Sequence, residues 1–451
     1  MKISLIHPQL IYLPSQAPLG LGYIAASLEQ EGHEVQFIEG AFLPDGESIA
    51  RSVKTFGANL VGISVMISYY SNAIDLSRRI KEQNPDIPIL LGGPHPSVVP
   101  DDFLRFDTID YVLVGEGEEA FADMANSIDA GTFDRHKIPG LRWKGGSSDI
   151  PHTSRLRDLD SIPWPARHLM PMEQYRHRNY IVSYGMHGGN FNLITTRGCP
   201  YRCNFCDHTV FGYKPISRSI QDVVNEIEHT VKKFNIRNFD IMDDTFTMRK
   251  EFVMEFCDEL MARNLKVFWC CRLRVTGVTR EMMQKLANAG CVRFSVGIES
   301  TDETVLKATN KKISSQEVVQ VLKWAKEFGM LTIGNFMIGN IGDTRESIYK
   351  TLTFSLQTKE IDIPSWVMLV PLPGTPVFEI GKQNGWIRSY NWDDYRMNIK
   401  DLPVWRNEAL SHKDLKEIYA DIANKVRPKI KHAMDGLHME RLKCYPELVN
   451  A

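Results

Sequence analysis

Long apolar runs are absent from this chain. No stretch of it approaches the ~18 consecutive apolar residues of a membrane span. Its first residues, Met1-Lys2-Ile3-Ser4-Leu5-Ile6-His7-Pro8, hold too short an apolar run for a secretory leader and read as a strand. A dominant charge is absent too. The 53 Lys and Arg against 55 Asp and Glu leave a net charge of −2, with no long basic or acidic block. That leaves no electrostatic footprint for nucleic acid or an anionic membrane. Cysteine is scarce and uneven: of eight in 451 residues, Cys199, Cys203 and Cys206 crowd together. A secreted disulfide framework spreads its cysteines along a short chain, whereas crowding in a long one points to metal binding. These absences lead to the expectation of a cytoplasmic protein with no membrane span and no nucleic-acid partner.

The hydrophobic pattern is regular. Apolar strands are expected at Lys2–His7, His33–Glu39, Leu60–Ser64, Pro88–Leu91 and Tyr111–Val114, with helices between them such as Leu19–Glu31 and 71–83. Short strands alternating with helices imply a parallel, doubly wound, Rossmann-like sheet, whose ligands bind at the carboxyl ends of the strands. From about 131 to 189 the rhythm stops, and Gly140, Gly145, Gly146, Pro151, Pro163, Pro165 and Pro171 suggest a linker with little structure of its own. A second alternation places strands at Phe191–Thr196, Asn238–Asp243, Lys266–Arg272, Val292–Glu299, Leu331–Ile338 and Ser365–Val370. Six βα units suit a partial (β/α)6 TIM-like barrel, with its chemistry at the strand carboxyl ends. The expected division is therefore a doubly wound domain over 1–135, a linker over 136–189, a barrel over 190–385 and a small helical region over 386–451. No motif in that last region is interpretable.

The cysteines lie in Thr195-Thr196-Arg197-Gly198-Cys199-Pro200-Tyr201-Arg202-Cys203-Asn204-Phe205-Cys206-Asp207-His208, after the first strand of the second alternation. Thiolates suit iron–sulfur clusters and zinc. A 4Fe–4S cluster normally takes four thiolates, so three local ones leave one iron open. Two other readings stand beside this. Cys199, Cys203, Cys206 and His208 form a possible Cys3His zinc set, and cysteines also serve as small apolar residues.

The spacing, with Phe205 before the last cysteine, resembles the radical S-adenosylmethionine superfamily. The resemblance implies a 4Fe–4S cluster on Cys199, Cys203 and Cys206, its open iron binding S-adenosylmethionine, with reductive cleavage to a 5′-deoxyadenosyl radical. It also implies cofactor contacts further along. Asp243 and Asp244 end the second barrel strand, where the superfamily contacts the amino group, and carboxylates accept from an ammonium. Arg272 ends the third. Glu299, in Gly297-Ile298-Glu299-Ser300, is implied to accept from the ribose hydroxyls. Gly339, in Gly339-Asn340-Ile341-Gly342-Asp343-Thr344, is implied to let the backbone approach the adenosine; Ile341 and Asp343 stand where the family has Pro and Glu. Pro371-Leu372-Pro373-Gly374-Thr375-Pro376 also matches a family loop.

A doubly wound domain ahead of such a barrel resembles the cobalamin-binding subclass, which includes the anaerobic magnesium-protoporphyrin monomethyl ester cyclase and class B methyltransferases. The resemblance spans roughly residues 1–385. It implies a corrinoid pocket at Ser64, Ser68, Gly92, Gly93, Pro94, Gly115, Glu116 and Gly117, although the D-x-H-x-x-G cobalt-ligand motif is missing from the sequence. The expected function is methylation of an unactivated carbon of a small-molecule substrate, with cobalamin as methyl carrier and flavodoxin or ferredoxin as electron donor. Two alternatives remain: an oxidative cyclase, hydroxylase or carbon–carbon coupling enzyme with the same cofactors, and a non-catalytic iron–sulfur or corrinoid binding protein. No catalytic side chain is readable.

Overall fold

A computed structural model of the chain describes residues 1–8, 16–146, 156–176, 189–395 and 401–444, the last ten as backbone alone. The chain forms two compact units, 1–178 with 208–212, and 179–207 with 213–451.

In the first unit the strands are β1 (Lys2–His7), β2 (Glu34–Glu39), β3 (Leu60–Ser64), β4 (Ile89–Gly92), β5 (Tyr111–Leu113) and β6 (Leu141–Arg142). They pair in the order β2-β1-β3-β4-β5-β6, parallel except for β6. From β1 the chain winds to one side for β2 and to the other for β3, and doubly wound sheets take ligands at such a reversal. Central β1 is buried from Ile3 to His7, polar residues included. Each polar residue is matched: Ser4 Oγ donates to Gln36 Oε1 at 2.9 Å, and His7 Nδ1 lies 2.9 Å from both Glu39 carboxylate oxygens. Tyr175 OH donates to the same carboxylate at 2.5 Å.

Tyr175 belongs to the stretch expected to be a bare linker, and here the structure differs. β6 adds an antiparallel strand to the sheet, and Leu156, Leu159, Ala166, Met170 and Tyr175 are buried. Ala166 N donates to Gly22 O at 3.0 Å. A methyl group on Gly22 would lie 2.6 Å from Met170 Cε and 2.9 Å from Pro165 Cβ, so a glycine is needed for this close approach. Abundant Pro and Gly report a lack of regular backbone pairing, not a lack of packing. Residues 147–155 and 177–188, Pro151 among them, lie outside the described residues.

In the second unit the strands are β7 (Phe191–Leu193), β8 (Thr196–Arg197), β9 (Ile216–Ser217), β10 (Asn238–Ile241), β11 (Phe268–Leu273), β12 (Cys291–Glu299), β13 (Leu331–Ile338) and β14 (Ile363–Met368). Six of them pair in parallel as β14-β13-β12-β11-β10-β7, one wall of a barrel with β7 and β14 at its edges. The strand expected over Phe191–Thr196 is split. β7 stays in the sheet, while β8 turns out to pair antiparallel with β9. Helices Ile220–Phe234, Arg280–Asn288 and Ser315–Glu327 start where Ser219, Thr279 and Ser314 accept from backbone amides in the first turn, as their residue types favour. Fully buried Trp269 anchors the core, its ring 5.4–5.8 Å from those of Phe239, Phe246 and Phe256.

The helix expected near 410–426 runs from His412 to Cys444 and contains Pro428. Leu415, Ile418 and Ile422 are buried on one face, matching helical period. Lys429 Nζ donates to the carbonyls of Ser355, Leu356 and Thr358 at 2.9, 3.1 and 2.8 Å, closing the end of helix Arg345–Gln357. No helix among the described residues is long and apolar enough to cross a membrane.

Candidate functional site

In the second unit the cysteine loop is tied at both ends. Beyond β7, Asp243 accepts from Thr195 N at 2.7 Å, from Thr195 Oγ1 and from Thr196 N at 3.1 Å. This carboxylate turns the chain from β7 into β8, which explains the split strand. Burial pushes Asp243 up to about 6, against the lowering effect of those donors. The loop itself rests on residues 308–310: Asn204 N donates to Thr309 O at 3.2 Å, Asn204 Nδ2 to Ala308 O at 3.0 Å, and Asn310 Nδ2 to Arg202 O at 2.8 Å.

On this loop Cys203 is buried, and Cys199 and Cys206 are half-buried. Cys199 Sγ lies 3.9 Å from Thr245 Oγ1. A hydrogen bond from Cys206 pulls the Cys203 thiol down, as do the charges of Lys311 and Arg274, and the same bond pushes Cys206 up. That favours a thiolate, the form that ligates metal, at Cys203, whereas burial pushes Cys199 up. Among the described residues no three His, Cys, Asp or Glu side chains are gathered tightly enough for a single metal ion, whereas a cluster spreads its ligands over several irons. The other described cysteines, Cys257, Cys270, Cys271 and Cys291, are buried in the core, where burial pushes the Cys257 and Cys270 thiols up.

Glu299 stands beside this loop. A register shift between Gly297 and Glu299 ends regular pairing of β12 with β13, and Glu299 adopts φ +63°. That conformation costs a non-glycine residue roughly 1–3 kcal/mol, and such strain gathers at functional sites. Its Oε1 accepts from Lys311 Nζ at 2.9 Å, both residues being buried. A methyl group on Gly297 would lie 2.5 Å from Glu299 Oε1 and 2.7 Å from Lys311 Nζ, so the glycine makes room for the pair. The Lys311 ammonium also sits 5.9 Å from the Phe205 ring centre. Phe205, Glu299, Lys311 and the cysteines thus share one neighbourhood. Asp244 is exposed on the turn after Asp243.

Arg272 is directed elsewhere. Its Nη1 donates to Ile241 O at 3.2 Å, and its Nη2 is 4.0 Å from Asp240 Oδ2. The arginine beside the cysteines is Arg274, with Nη1 3.9 Å from Cys203 Sγ and Cζ 3.9 Å from the Tyr201 ring centre. Sequence reasoning passed over Arg274 and Lys311. Arg274 shares Arg272's alternation along the strand, which was the available signal; Lys311 had none.

Gly339, at φ +84°, begins a loop held by the C-terminal region. Trp405 Nε1 donates to Gly339 O at 2.6 Å, Asn407 Nδ2 to Asn340 O and Asp343 O at 2.8 Å each, and Gly342 N to Glu408 Oε1 at 2.7 Å. Inside the loop Asp343 accepts from Asn340 N at 2.9 Å and Ser347 Oγ at 3.0 Å, and burial pushes it up to about 7. A carboxyl raised this way stabilises the fold most when protonated. Its contribution is complete below its ordinary value and is lost as pH rises through about 7. Asp343→Asn is expected to remove about 3 kcal/mol of stability loss between pH 5 and 8, seen as a flatter dependence of the urea midpoint on pH.

In the first unit, loops at the carboxyl ends of β3, β4 and β5 are joined. Val65 N donates to Gly92 O at 2.8 Å, Ser97 Oγ to Gly93 O at 2.8 Å, and Gly115 N to Ser97 Oγ at 3.0 Å. Gly93 has φ +100°, and a methyl group there would lie 3.0 Å from Val65 O and 3.2 Å from Ser64 Oγ. Ser64, Ser68, Gly92, Gly93, Gly115 and Gly117 are partly exposed along this edge, and Pro94, which opens helix Pro94–Val98, is exposed. This is a backbone-rich rim suited to an extended nucleotide-like tail. Glu116 differs: it is buried and accepts from Leu156 N at 3.0 Å, binding the returning chain. His95 is buried with its ring edge-on to Tyr70 and Phe103, and burial pulls it down to about 4.

Residues 193–355 match the family model of the radical SAM superfamily, and residues 14–125 match the B12 binding domain. The chain thus carries a B12 binding domain followed by a radical SAM domain. It is 29% identical over 420 residues to an uncharacterized methyltransferase of Pyrococcus horikoshii, covering 92% of this chain and 88% of that one. It is 26% identical to the anaerobic magnesium-protoporphyrin IX monomethyl ester cyclase of Rubrivivax gelatinosus, covering 92% and 75%. The fold matches the solved structure of the cobalamin-dependent S-adenosylmethionine radical enzyme OxsB, with aqua-cobalamin and S-adenosylmethionine bound, at a TM-score of 0.78 and 16% identity, covering 98% of this chain and 72% of that one. As a radical SAM protein with a B12 domain, it is an enzyme whose cofactors are a 4Fe–4S cluster, S-adenosylmethionine and cobalamin. The cysteine loop, with soft ligands beside two buried cations, fits the cluster, and the glycine rim of the first unit fits the corrinoid.

Proposed function

We propose that this radical SAM enzyme methylates an unactivated carbon of a small-molecule substrate. The observation that carries the reading is the joining of a radical SAM domain to a B12 binding domain in one chain, supported by the methyltransferase relative that spans nearly its whole length. When bound, the cluster and S-adenosylmethionine supply hydrogen-atom abstraction, and cobalamin supplies a transferable methyl group.

In this reading Cys199, Cys203 and Cys206 hold the cluster, and Asp243 fixes the turn that presents them. Glu299, an acceptor poised by Lys311, takes the ribose hydroxyls, with Phe205, Asp244 and the Gly339 backbone around the cofactor. Arg272 acts from the β10 side. Ser64, Ser68, Gly92, Gly93, Pro94, Gly115 and Gly117 receive the corrinoid tail, and Glu116 braces that rim. A flavodoxin or ferredoxin delivers single electrons. The 26% identity to the cyclase favours one other reading, oxidation with ring formation.

The test is anaerobic reconstitution with cobalamin, reductant and methyl-labelled S-adenosylmethionine. Methyl transfer is expected to put label on the corrinoid with an equal amount of S-adenosylhomocysteine. Formation of 5′-deoxyadenosine with the label remaining on methionine would overturn it in favour of the cyclase reading.

A further inference from the structure

Arg274 is 6% exposed, on the residue after β11. Its guanidinium is fixed on every side: Nε donates to Thr276 Oγ1 at 3.3 Å, Nη2 to Lys312 O at 3.2 Å, and Nη1 reaches Cys203 Sγ at 3.9 Å. Its plane carbon lies 3.9 Å from the ring centre of Tyr201, midway between Cys199 and Cys203 on the loop. Its backbone carbonyl accepts from Thr247 Oγ1 at 3.2 Å.

What this arginine lacks is a counter-ion. Two other buried cations of the second unit have one: Arg218 pairs with Asp222 and Glu226, and Lys311 with Glu299 at 2.9 Å. Among the described residues no carboxylate lies within ion-pair distance of Arg274, and its other partners are a hydroxyl, a carbonyl and a ring. A buried charge without an opposite charge is costly, so folds rarely keep one. The one partner able to become an anion is the Cys203 sulfur.

We infer that Arg274 is a positioning residue that holds up the reduction potential of the cluster by donating to Cys203 Sγ. The inference rests on the reading that Cys199, Cys203 and Cys206 are the cluster ligands. Accepting one electron adds one negative charge to the cluster. A fixed cation donating to a ligand sulfur stabilises that charge, and hydrogen bonds to sulfur and local charge are what set such potentials. Lys311 contributes less, because Glu299 offsets it.

The experiment is an EPR-monitored redox titration of the anaerobically reconstituted full chain, as wild type, Arg274→Gln and Arg274→Lys, with iron and sulfide measured on each. Arg274→Gln is expected to keep wild-type iron and to lose tenfold or more in the reduction equilibrium, about 59 mV for one electron. Full iron at wild-type potential would overturn the inference. If the glutamine variant takes up no iron, Arg274→Lys decides. A lone ammonium cannot span Lys312 O and Cys203 Sγ together, so a loaded lysine variant is expected to be harder to reduce; wild-type potential there overturns it too. Loss of iron from both variants would assign Arg274 to loop folding alone, which equally overturns it. A wild-type protein that takes up zinc and no iron would instead remove the cluster reading beneath it.

Discussion

Cys203→Ala is expected to leave the reconstituted protein with almost no iron, against about four per chain in the wild type. Formation of 5′-deoxyadenosine is expected to fall by more than ~100-fold, beyond the usual range for residues that merely support a metal ligand. Cys203 is the most buried of the three loop cysteines, and a hydrogen bond from Cys206 together with two cations lowers its thiol. Removing it takes a ligand from the cluster and leaves Arg274 buried with no anion at all. The control is Cys257→Ala. Cys257 is more deeply buried but sits on helix Lys250–Ala262 in an environment that pushes its thiol up. That variant is expected to retain iron. Iron analysis on the two variants separates ligand loss from general damage, and loss of iron from both would count against the assignment.

Trp405→Ala is expected to be among the most destabilising single changes outside the sheet, costing about 3–5 kcal/mol. Trp405 is fully buried, edge-on to Trp386 at 5.7 Å between ring centres. A methyl group on Gly381 would lie 2.5 Å from its ring, so no neighbour fills the space it leaves without moving. The loss reaches further than packing, because the indole N–H holds the Gly339 carbonyl. Weaker S-adenosylmethionine binding is expected at temperatures where the variant remains folded. Trp405→Phe keeps most of the volume but drops the hydrogen bond. It is expected to recover most of the denaturation midpoint while keeping the binding defect. If Trp405→Phe binds S-adenosylmethionine as wild type does, the clamp has no part in the site.

Much of the strand pattern was legible because parallel strands buried on both faces are near-continuous apolar runs. β1, β3 and β13 fall where the alternation placed them. The turn at Thr195 was not legible. Asp243 is drawn to it by tertiary hydrogen bonds across 47 and 48 residues, and local propensity carries no trace of such a partner. Three of the site expectations acquire structural work once the chain folds: Asp243 holds the strand end, Arg272 faces β10, and Glu116 binds the chain at Leu156. Local residue type marked each as polar at a strand end, but not which neighbour would use it.

By itself the sequence determined the two βα alternations and the trio of cysteines with its aromatic neighbour, because strand period and ligand spacing are local properties of the chain. Only the tertiary structure decided that Arg274 and Lys311 stand by the cysteines, that Glu299 is bent into a strained acceptor, and that the C-terminal segment clamps the Gly339 loop. Those outcomes depend on contacts between residues distant in sequence, and on burial, which sets what each charge is worth.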